Sequence, residues 1–217
     1  MSAFMTAVAD GFPVFGQALL NAFILLATSC VLSTFLGALL CVVDICAHRS
    51  VGLLVRIYSW LAQTTPPLIL LFLAFYGSTM MGRAISPMTA AIIAFVFFAT
   101  AYYFEIFRAS YEGVPRGQFE AARALGIPPL PFATGVVVPQ VIRIAAGPFV
   151  GRTTVLFKET SLASAISVSE IMSTASAYIY SGASPLLMVA IAGGIYAVIN
   201  IALIALEKHL TRKAAAA

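Results

Sequence analysis

Charged side chains inside an apolar stretch are the residues of this sequence that could do chemistry. Lys158 and Glu159 stand side by side in such a stretch and are followed by Thr160 and Ser161. A charge in hydrocarbon is costly, so such a residue faces a cavity or a partner and is a candidate for contact with a solute. A carboxylate suits an ammonium group, whereas a cation or a hydroxyl suits a carboxylate. These four neighbours therefore indicate a site for a small polar molecule.

The roles of Lys158 and Glu159 are open between two interpretations. Neighbouring side chains of a helix point about 100° apart, so both cannot face one cavity squarely. In the first interpretation Glu159 faces the solute pathway and Lys158 faces the cytoplasmic edge or another helix. In the second interpretation the two residues form a structural ion pair that orients the helix. Tyr102 and Tyr103 either line the same pathway or serve in packing.

No constellation of catalytic residues accompanies these candidates. The sequence has no Ser/His/Asp arrangement, paired carboxylates or metal ligands at catalytic spacing. It also lacks the G-x-x-x-x-G-K-[ST] phosphate-binding motif, so ATP chemistry belongs to another polypeptide. The prediction is a protein that is not an enzyme and that holds no metal or other cofactor of its own.

The composition indicates that membrane-spanning helices position these residues. Of the 217 residues, 61% are hydrophobic and only 9% are charged, whereas soluble domains carry about a quarter charged residues. The uncharged runs can each hold a helix of about 20 residues, which crosses about 30 Å of hydrocarbon. The fourth expected span contains several charges, so we expect it to face protein and not lipid. The expected spans are 18–43, 53–76, 85–107, 150–172 and 185–206.

Basic residues predict the direction of the chain across the membrane. Short loops rich in Lys and Arg stay on the cytoplasmic side. With five spans, all of the 12 Lys and Arg residues except Arg83 fall on one side or at its membrane edge. This arrangement places the amino terminus outside and the carboxyl terminus in the cytoplasm. The alternative is a chain of four spans, in which 150–172 does not cross and another apolar run is re-entrant.

The connection after the third span, about 108–143, is the longest charged connection in the chain. Residues 118–125 favour a short helix because they include three alanines. Gly117 precedes that helix and Gly126 ends it. A short helix on a polar loop, with breakers at both ends, is predicted to protrude from the membrane.

Charges also occur at the inner end of the third span. Glu105 and Arg108 stand at positions i and i+3, where side chains of a helix are neighbours. They are predicted to form a helix-end ion pair beside the loop and not to bind the solute.

The spacing of residues in the loop resembles a known motif. Glu120-Ala121-Ala122 is followed after three residues by Gly126, and after nine more by Val136-Val137-Val138-Pro139. This order resembles the EAA---G---------I-LP loop of the permease subunits of ABC importers. Val136 and Val138 stand in place of the usual Ile and Leu.

Flanking segments extend the resemblance over about residues 15–210. Thr65-Pro66-Pro67-Leu68 begins an apolar run, and Lys158-Glu159-Thr160-Ser161-Leu162 follows the motif. These segments resemble the polar amino acid branch of the family, the histidine, glutamine and arginine type. The resemblance implies an all-α integral membrane protein with five transmembrane helices and a short cytoplasmic coupling helix. This is the type I ABC importer permease fold, expected here as a single domain over 1–217.

The resemblance also implies partners. In such importers the loop helix sits in a groove on a separate ATPase subunit, so a dimer of ABC ATPases would bind ATP and Mg²⁺. A second permease subunit, identical or homologous, and a periplasmic or lipid-anchored solute-binding protein would complete the importer in the bacterial inner membrane. The implied substrate is a polar amino acid or an amino-acid derivative. The residues implied in coupling to the ATPase are Gly117, Gln118, Glu120, Ala121, Ala122, Gly126 and Pro139.

Other functions suit the apolar runs alone. A membrane scaffold or an ion-conducting subunit would have the same composition, but neither needs a protruding Glu-Ala-Ala helix with glycine at that distance. A nucleic-acid partner is not indicated, because the basic residues lie between apolar runs and not in one block. The loop therefore favours a transport subunit over these alternatives.

Overall fold

Helices account for almost all of the described chain. The computed structural model describes residues 2–215, with side chains described for 14–212. The elements in chain order are α1 (Ser2–Cys46), α2 (Arg49–Thr64), α3 (Pro67–Met80), α4 (Pro87–Glu112), α5 (Arg116–Ala124), α6 (Pro129–Phe132), a π-helical turn (Ala133–Val137), α7 (Val138–Glu159), a 3₁₀ helix (Thr160–Ile166), α8 (Ile171–Tyr180) and α9 (Pro185–Ala215).

Four helical segments in the described part of the chain are long and apolar enough to cross a membrane. They are Val14–Cys46, Pro87–Glu112, Pro129–Ile166 and Pro185–Arg212. The expected spans 18–43 and 185–206 lie inside two of these segments, and 85–107 begins two residues before a third, Pro87–Glu112, so those three predictions are confirmed.

Contacts between α1 and α4 show that these two helices run in the same direction. Ser33 donates a hydrogen bond to the carbonyl of Val96 (3.4 Å), and Asp44, eleven residues further along α1, contacts Arg108 near the end of α4 (3.7 Å). The ends of the two helices therefore lie at the same end of the bundle. The chain between them must return across the thickness of the protein.

The return is made by α2 and α3, which are bent by 100° relative to each other. Pro66 has no N–H to continue α2, and Pro67 is the first residue of α3, where proline is tolerated. Thr65 has the extended backbone that a following proline favours. The expected span 53–76 is thus a broken crossing. Parallel α1 and α4 require this pair to cross, and Pro129–Ile166 is also long and apolar enough to cross, so the structure favours five spans over the four-span alternative.

The fourth span lies earlier in the sequence than expected. It runs over Pro129–Ile166 and not over 150–172. Pro129 is the first residue of α6, a position where proline is favoured. The next helical segment therefore starts soon after the loop helix ends. The connection between the third and fourth spans is accordingly 113–128, shorter than the expected 108–143.

Gly37 of α1 lies directly against the backbone of α4. A Cβ atom added at Gly37 would lie 2.9 Å from the backbone nitrogen of Phe104 and 3.0 Å from Cβ of Tyr103. Small residues at the interface let membrane helices approach closely, and this contact fixes α1 against α4. Tyr103 and Phe104 are both fully buried there.

Replacement of Gly37 by alanine is expected to destabilise the protein by about 1–3 kcal/mol, the usual cost of overpacking. The added methyl group would press on the backbone of α4. Gly77→Ala is the matched control, because a Cβ there meets nothing within 4 Å. Thermal unfolding in detergent measures the difference, and equal midpoints for the two variants would contradict this account of the contact.

Candidate functional site

The loop helix forms as the sequence indicated. α5 covers Arg116–Ala124, and Gly126 follows it with a φ of 64°, a left-handed conformation that glycine adopts without strain. Gly126 donates a hydrogen bond to the carbonyl of Arg123 (3.1 Å) and Ile127 donates to that of Ala122 (2.9 Å). These two bonds form a Schellman motif, so Gly126 fixes the turn at the end of α5.

Most of the residues expected at an ATPase interface are on the exposed side of this loop. Glu120 and Ala121 of α5 are exposed, as are Gly126 and, in the first turn of α7, Pro139. Gly117 and Gln118 are exposed as well. Ala122, however, is buried within the chain, so we expect it to seat α5 on its own subunit and not to contact a partner.

Phe119 anchors α5 to the spans on both sides of the loop. Its ring packs edge-on against Tyr111 of α4 (5.8 Å between centroids) and against Phe132 of α6 (5.4 Å). No motif in the sequence marks this residue. An aromatic side chain on an otherwise polar helix does indicate a buried contact, because its ring is apolar. Because of these contacts, α5 is attached directly to the third and fourth spans.

The expected pair Glu105–Arg108 is confirmed but is part of a larger group. Arg108 contacts Glu105 (3.4 Å), Glu112 (3.1 Å) and Asp44 at the end of α1 (3.7 Å), and Asp44 also contacts Arg56 of α2 (3.0 Å). We call these five residues the charge cluster. Asp44 and Arg56 were not selected from the sequence, because their partners are on other helices and no local spacing brings them together. The cluster joins α1, α2 and α4 at the end of the bundle that carries α5.

Glu159 pairs with Arg152 and not with Lys158. The Arg152 guanidinium lies 2.9 Å from Oε2 of Glu159, while Lys158 is exposed and has no carboxylate within 4 Å among the described side chains. The interpretation of Lys158 and Glu159 as an ion pair with each other is therefore wrong. Residues seven apart lie on the same face of a helix, so the spacing of Arg152 and Glu159 is compatible with the pair that the structure shows.

Aromatic rings enclose the Arg152 side chain. Its guanidinium carbon lies 4.0 Å from the ring centroid of Tyr102 and 4.9 Å from that of Phe98. The side chain is only 8% exposed, and its Nε is one of the described buried atoms without a hydrogen-bond partner. Ring faces and one carboxylate thus compensate the charge inside the bundle. The ring of Tyr102 thus makes a cation–π contact with Arg152.

The other pathway candidates are not gathered into one site. Tyr103 is fully buried, with its hydroxyl 2.9 Å from that of Thr153, so it serves in packing between spans. Thr160 is also fully buried, and its hydroxyl donates to the carbonyl of Phe157 (2.7 Å). Ser161 donates to the carbonyl of Lys158 (2.8 Å). Among these candidates, Glu159 therefore has the half-buried carboxylate that is best suited to contact a solute.

A polar cleft that the sequence analysis missed lies toward the end of the bundle opposite α5. It has a volume of about 580 Å³ and is bounded by residues 14–21 of α1, the 3₁₀ helix and α8. Ser167, next to it, has a left-handed backbone with φ of 66°, which is uncommon for a residue other than glycine. The polar residues lining the cleft include Gln17, Asn21, Ser164, Ser169, Ser173 and Ser176.

The backbone beside the cleft is stabilised by Glu170. Its buried carboxylate accepts hydrogen bonds from the N–H groups of Met172 and Ser173 (both 2.8 Å) and from the hydroxyl of Tyr196 (2.7 Å). Tyr196 lies about 17 Å along α9 from Pro185, roughly half of the hydrocarbon thickness. The chain is thus interrupted between the 3₁₀ helix and α8, beside the apolar part of α9, and irregular backbone at such depth is tolerated only inside protein or beside a polar cavity.

This set of features defines the class of the protein. The sequence profile of the binding-protein-dependent transport system inner membrane component family matches residues 31–215. The chain belongs to this family and is a multi-pass protein of the inner membrane. The scaffold and ion-channel alternatives have no support in this match.

Named relatives are permeases for amino acids and their derivatives. The chain is 33% identical over 159 residues to the nopaline transport system permease protein NocM of Agrobacterium fabrum, covering 69% of this chain and 66% of that protein. It is 29% identical over 197 residues to the glutamate/aspartate import permease protein GltK of Escherichia coli O6:H1, covering 87% and 88%. The probable amino-acid ABC transporter permease YckA of Bacillus subtilis is 36% identical over 117 residues, 54% of this chain and about half (52%) of YckA.

Solved structures share the fold. A chain of an amino acid ABC transporter crystallised with histidines superposes with a TM-score of 0.89 at 24% identity, covering 96% of this chain and 97% of that one. A chain of the inward-facing MetNI methionine ABC transporter gives a TM-score of 0.66 at 20% identity, covering 100% and 98%. These likenesses confirm the expected type I ABC importer permease fold.

The Arg152–Glu159 pair gives a stability prediction. Arg152→Met leaves a half-buried carboxylate unpaired and is expected to cost about 3–5 kcal/mol, whereas Arg152→Met with Glu159→Met together should cost less than the sum of the single changes. Lys158→Met is the control and should have little effect. Unfolding midpoints in detergent test this cycle, and additive effects of the two substitutions would show that the pair is not an energetic unit.

Proposed function

We propose that this chain is the transmembrane subunit of an ATP-driven importer for a polar amino acid or amino-acid derivative. The observation that carries the proposal is α5, an exposed helix that ends in a left-handed glycine and is attached to two spans through Phe119. A helix held in this way can transmit a push from a soluble partner to the membrane part of the protein. A scaffold or channel would have no use for such an attachment.

The partner on α5 is an ABC ATPase, which supplies the ATP site that this sequence lacks. Glu120 and Ala121 are the exposed residues of α5 that would enter its groove, with Glu120 making the polar contact. The ATP and Mg²⁺ are bound by that ATPase, whose dimer works on two permease subunits. The chain itself is a transport component and not the hydrolytic enzyme.

A second permease subunit completes the pathway. Five crossings enclose little space, and the cleft of about 580 Å³ is open on one side in the single chain. A polar cleft open to lipid is unfavourable, so we expect the second subunit, identical or homologous, to cover this side. A solute-binding protein on the outer face delivers the substrate to the pair.

The polar amino acid class follows from the relatives and suits the chemistry of the site. Relatives carry nopaline or glutamate and aspartate by their names, all of which bear ammonium and carboxylate groups. The neutral hydroxyls of the cleft accept or donate hydrogen bonds to both groups. Glu159, whose carboxylate is half-buried within the chain, offers an anion to the ammonium group. Arg152 places a positive charge beside that carboxylate, 2.9 Å from Oε2.

The orientation follows from the basic residues around α5. We place the amino terminus outside and the carboxyl terminus in the cytoplasm, so that α5 meets ATPases in the cytoplasm. The cleft then opens toward the outer face, where a periplasmic or lipid-anchored binding protein docks. Co-purification of an ATPase with the tagged chain from native membranes tests the assembly directly.

Gly126→Val is expected to uncouple the importer. Valine is strained at a positive φ, so the end of α5 would be displaced while the spans stay folded. In proteoliposomes containing the whole importer, uptake should fall between about twofold and thirtyfold, the range of mutational effects on coupling, while ATP hydrolysis continues. The matched control is Gly182→Val, which has the same kind of strain (φ 98°) in the turn between α8 and α9. Normal uptake by the Gly126 variant would contradict the role of α5.

Glu159→Gln is expected to weaken substrate uptake while preserving assembly. Glutamine retains a hydrogen bond to Arg152 but removes the anion, so the Michaelis constant for uptake should rise by about tenfold, the value of one lost charge-assisted hydrogen bond. Labelled arginine, glutamine and glutamate serve as probe substrates. Lys158→Gln is the comparison and should leave uptake unchanged. Wild-type uptake by the Glu159 variant would remove this residue from the pathway.

A further inference from the structure

Asp44 is a buried carboxylate that lies in the last turn of α1 and contacts two other helices. Its side chain is 4% exposed, and its two oxygens accept hydrogen bonds from Nε and Nη2 of Arg56 (3.0 and 3.2 Å). Nε of Arg108 lies 3.7 Å from Oδ2. A negative charge near the carboxyl end of a helix is unfavourable, and its burial adds to the cost. The two guanidinium groups compensate this charge, which makes Asp44 the common contact of α1, α2 and α4.

The start of α2 is shaped to reach this carboxylate. A Cβ atom at Gly52 would lie 2.9 Å from Oδ1 of Asp44. Glycine therefore lets the first turns of α2 approach Asp44 closely, and Arg56, one turn further on, makes the two-bond contact. The approach and the ion pair together fix where α2 begins.

Polar contacts continue from this point along the buried face of α2. Ser59 donates a hydrogen bond to Oε1 of Glu105 on α4 (2.9 Å), and Gln63 donates to Ser59 (2.8 Å). Gln63 is in the last turn of α2, directly before the bend at Thr65 and Pro66. A chain of side-chain hydrogen bonds thus extends from Glu105 of the charge cluster to the last turn of α2, which precedes the bend.

The other side of the charge cluster leads to the loop helix. Arg108 and Glu112 lie in the last two turns of α4, and α5 begins at Arg116. The short connection is held by Val114, which is 3% exposed. A displacement of α5 therefore acts on the end of α4 that Asp44 holds against α2.

We propose that Asp44 is a positioning residue for transport. It clamps the start of α2 to the ends of α1 and α4, so that a displacement of α5 reaches the α2–α3 bend and does not end at α4. The role rests on the proposed function, because it needs a partner that moves α5. Arg56 is 54% exposed, so this ion pair reaches the protein surface, whereas the Asp44 side chain is 4% exposed. One carboxylate that contacts two guanidinium groups fixes the relative position of three helices.

Asp44→Asn tests the proposal with little change of shape. The importer, with its ATPase and its solute-binding protein, is reconstituted in proteoliposomes, and uptake and ATP hydrolysis are measured in the same preparation. The number of solute molecules transported per ATP is expected to fall between about twofold and thirtyfold. Arg49→Gln is the matched control, since Arg49 is an exposed arginine of α2 with no carboxylate within 4 Å among the described side chains, and it should keep the wild-type ratio.

Two further variants cover the case in which Asp44→Asn fails to assemble. Arg56→Gln removes the partner at the protein surface, and Ser59→Ala removes the contact with Glu105 one turn along α2. Both are expected to lower the transport ratio. A wild-type ratio in both of these variants would overturn the proposal. A fall of uptake and hydrolysis in equal proportion would also overturn it, because that result indicates a purely structural role.

Failure of the proposed function gives a different result in the same experiment. The wild-type chain would then show no ATP-dependent uptake of the arginine, glutamine or glutamate probe. If wild type transports and the variants keep its ratio, only the role of Asp44 is wrong.

Discussion

The exclusion of water from the hydrocarbon is the constraint on which the rest of this structure depends. Every backbone polar group and every charge at that depth must find its partner within protein. Continuous helices meet this requirement by their own hydrogen bonds, and the interruptions meet it with particular side chains. At the break after the 3₁₀ helix, Glu170 accepts two backbone N–H groups and the hydroxyl of Tyr196. The break is therefore a stabilised feature that leaves a polar cleft beside it.

Hydropathy predicted the spans well wherever a span is one uncharged helix. It failed for 150–172 because the charges of Arg152 and Glu159 lie within a true span, Pro129–Ile166, and are paired with each other. Breakers predicted the ends of α5, since the left-handed turn at Gly126 depends on local backbone conformation. Contacts between helices could not be predicted from hydropathy or from helix breakers.

Asp44 shows why such contacts could not be predicted from one sequence. The residue ends an apolar run, where a charge is expected at the membrane edge and needs no explanation. Its partners lie 12 residues away on α2 and much further away on α4, and only the parallel register of α1 and α4 brings Arg108 to it. The 3.6-residue period gives the face of one helix but does not give the register between two.

The position of α4 explains how a small loop helix can act on the whole bundle. α4 contacts α1 through Gly37, α2 through the charge cluster and α7 through the stacked rings of Tyr103 and Phe149 (4.8 Å). Packed interiors do not absorb a displacement locally, so movement at the end of α4 must shift its neighbours. Phe119 joins α5 to the following span as well, through Phe132. A push on α5 is therefore applied to two adjacent spans at once, and their partners follow.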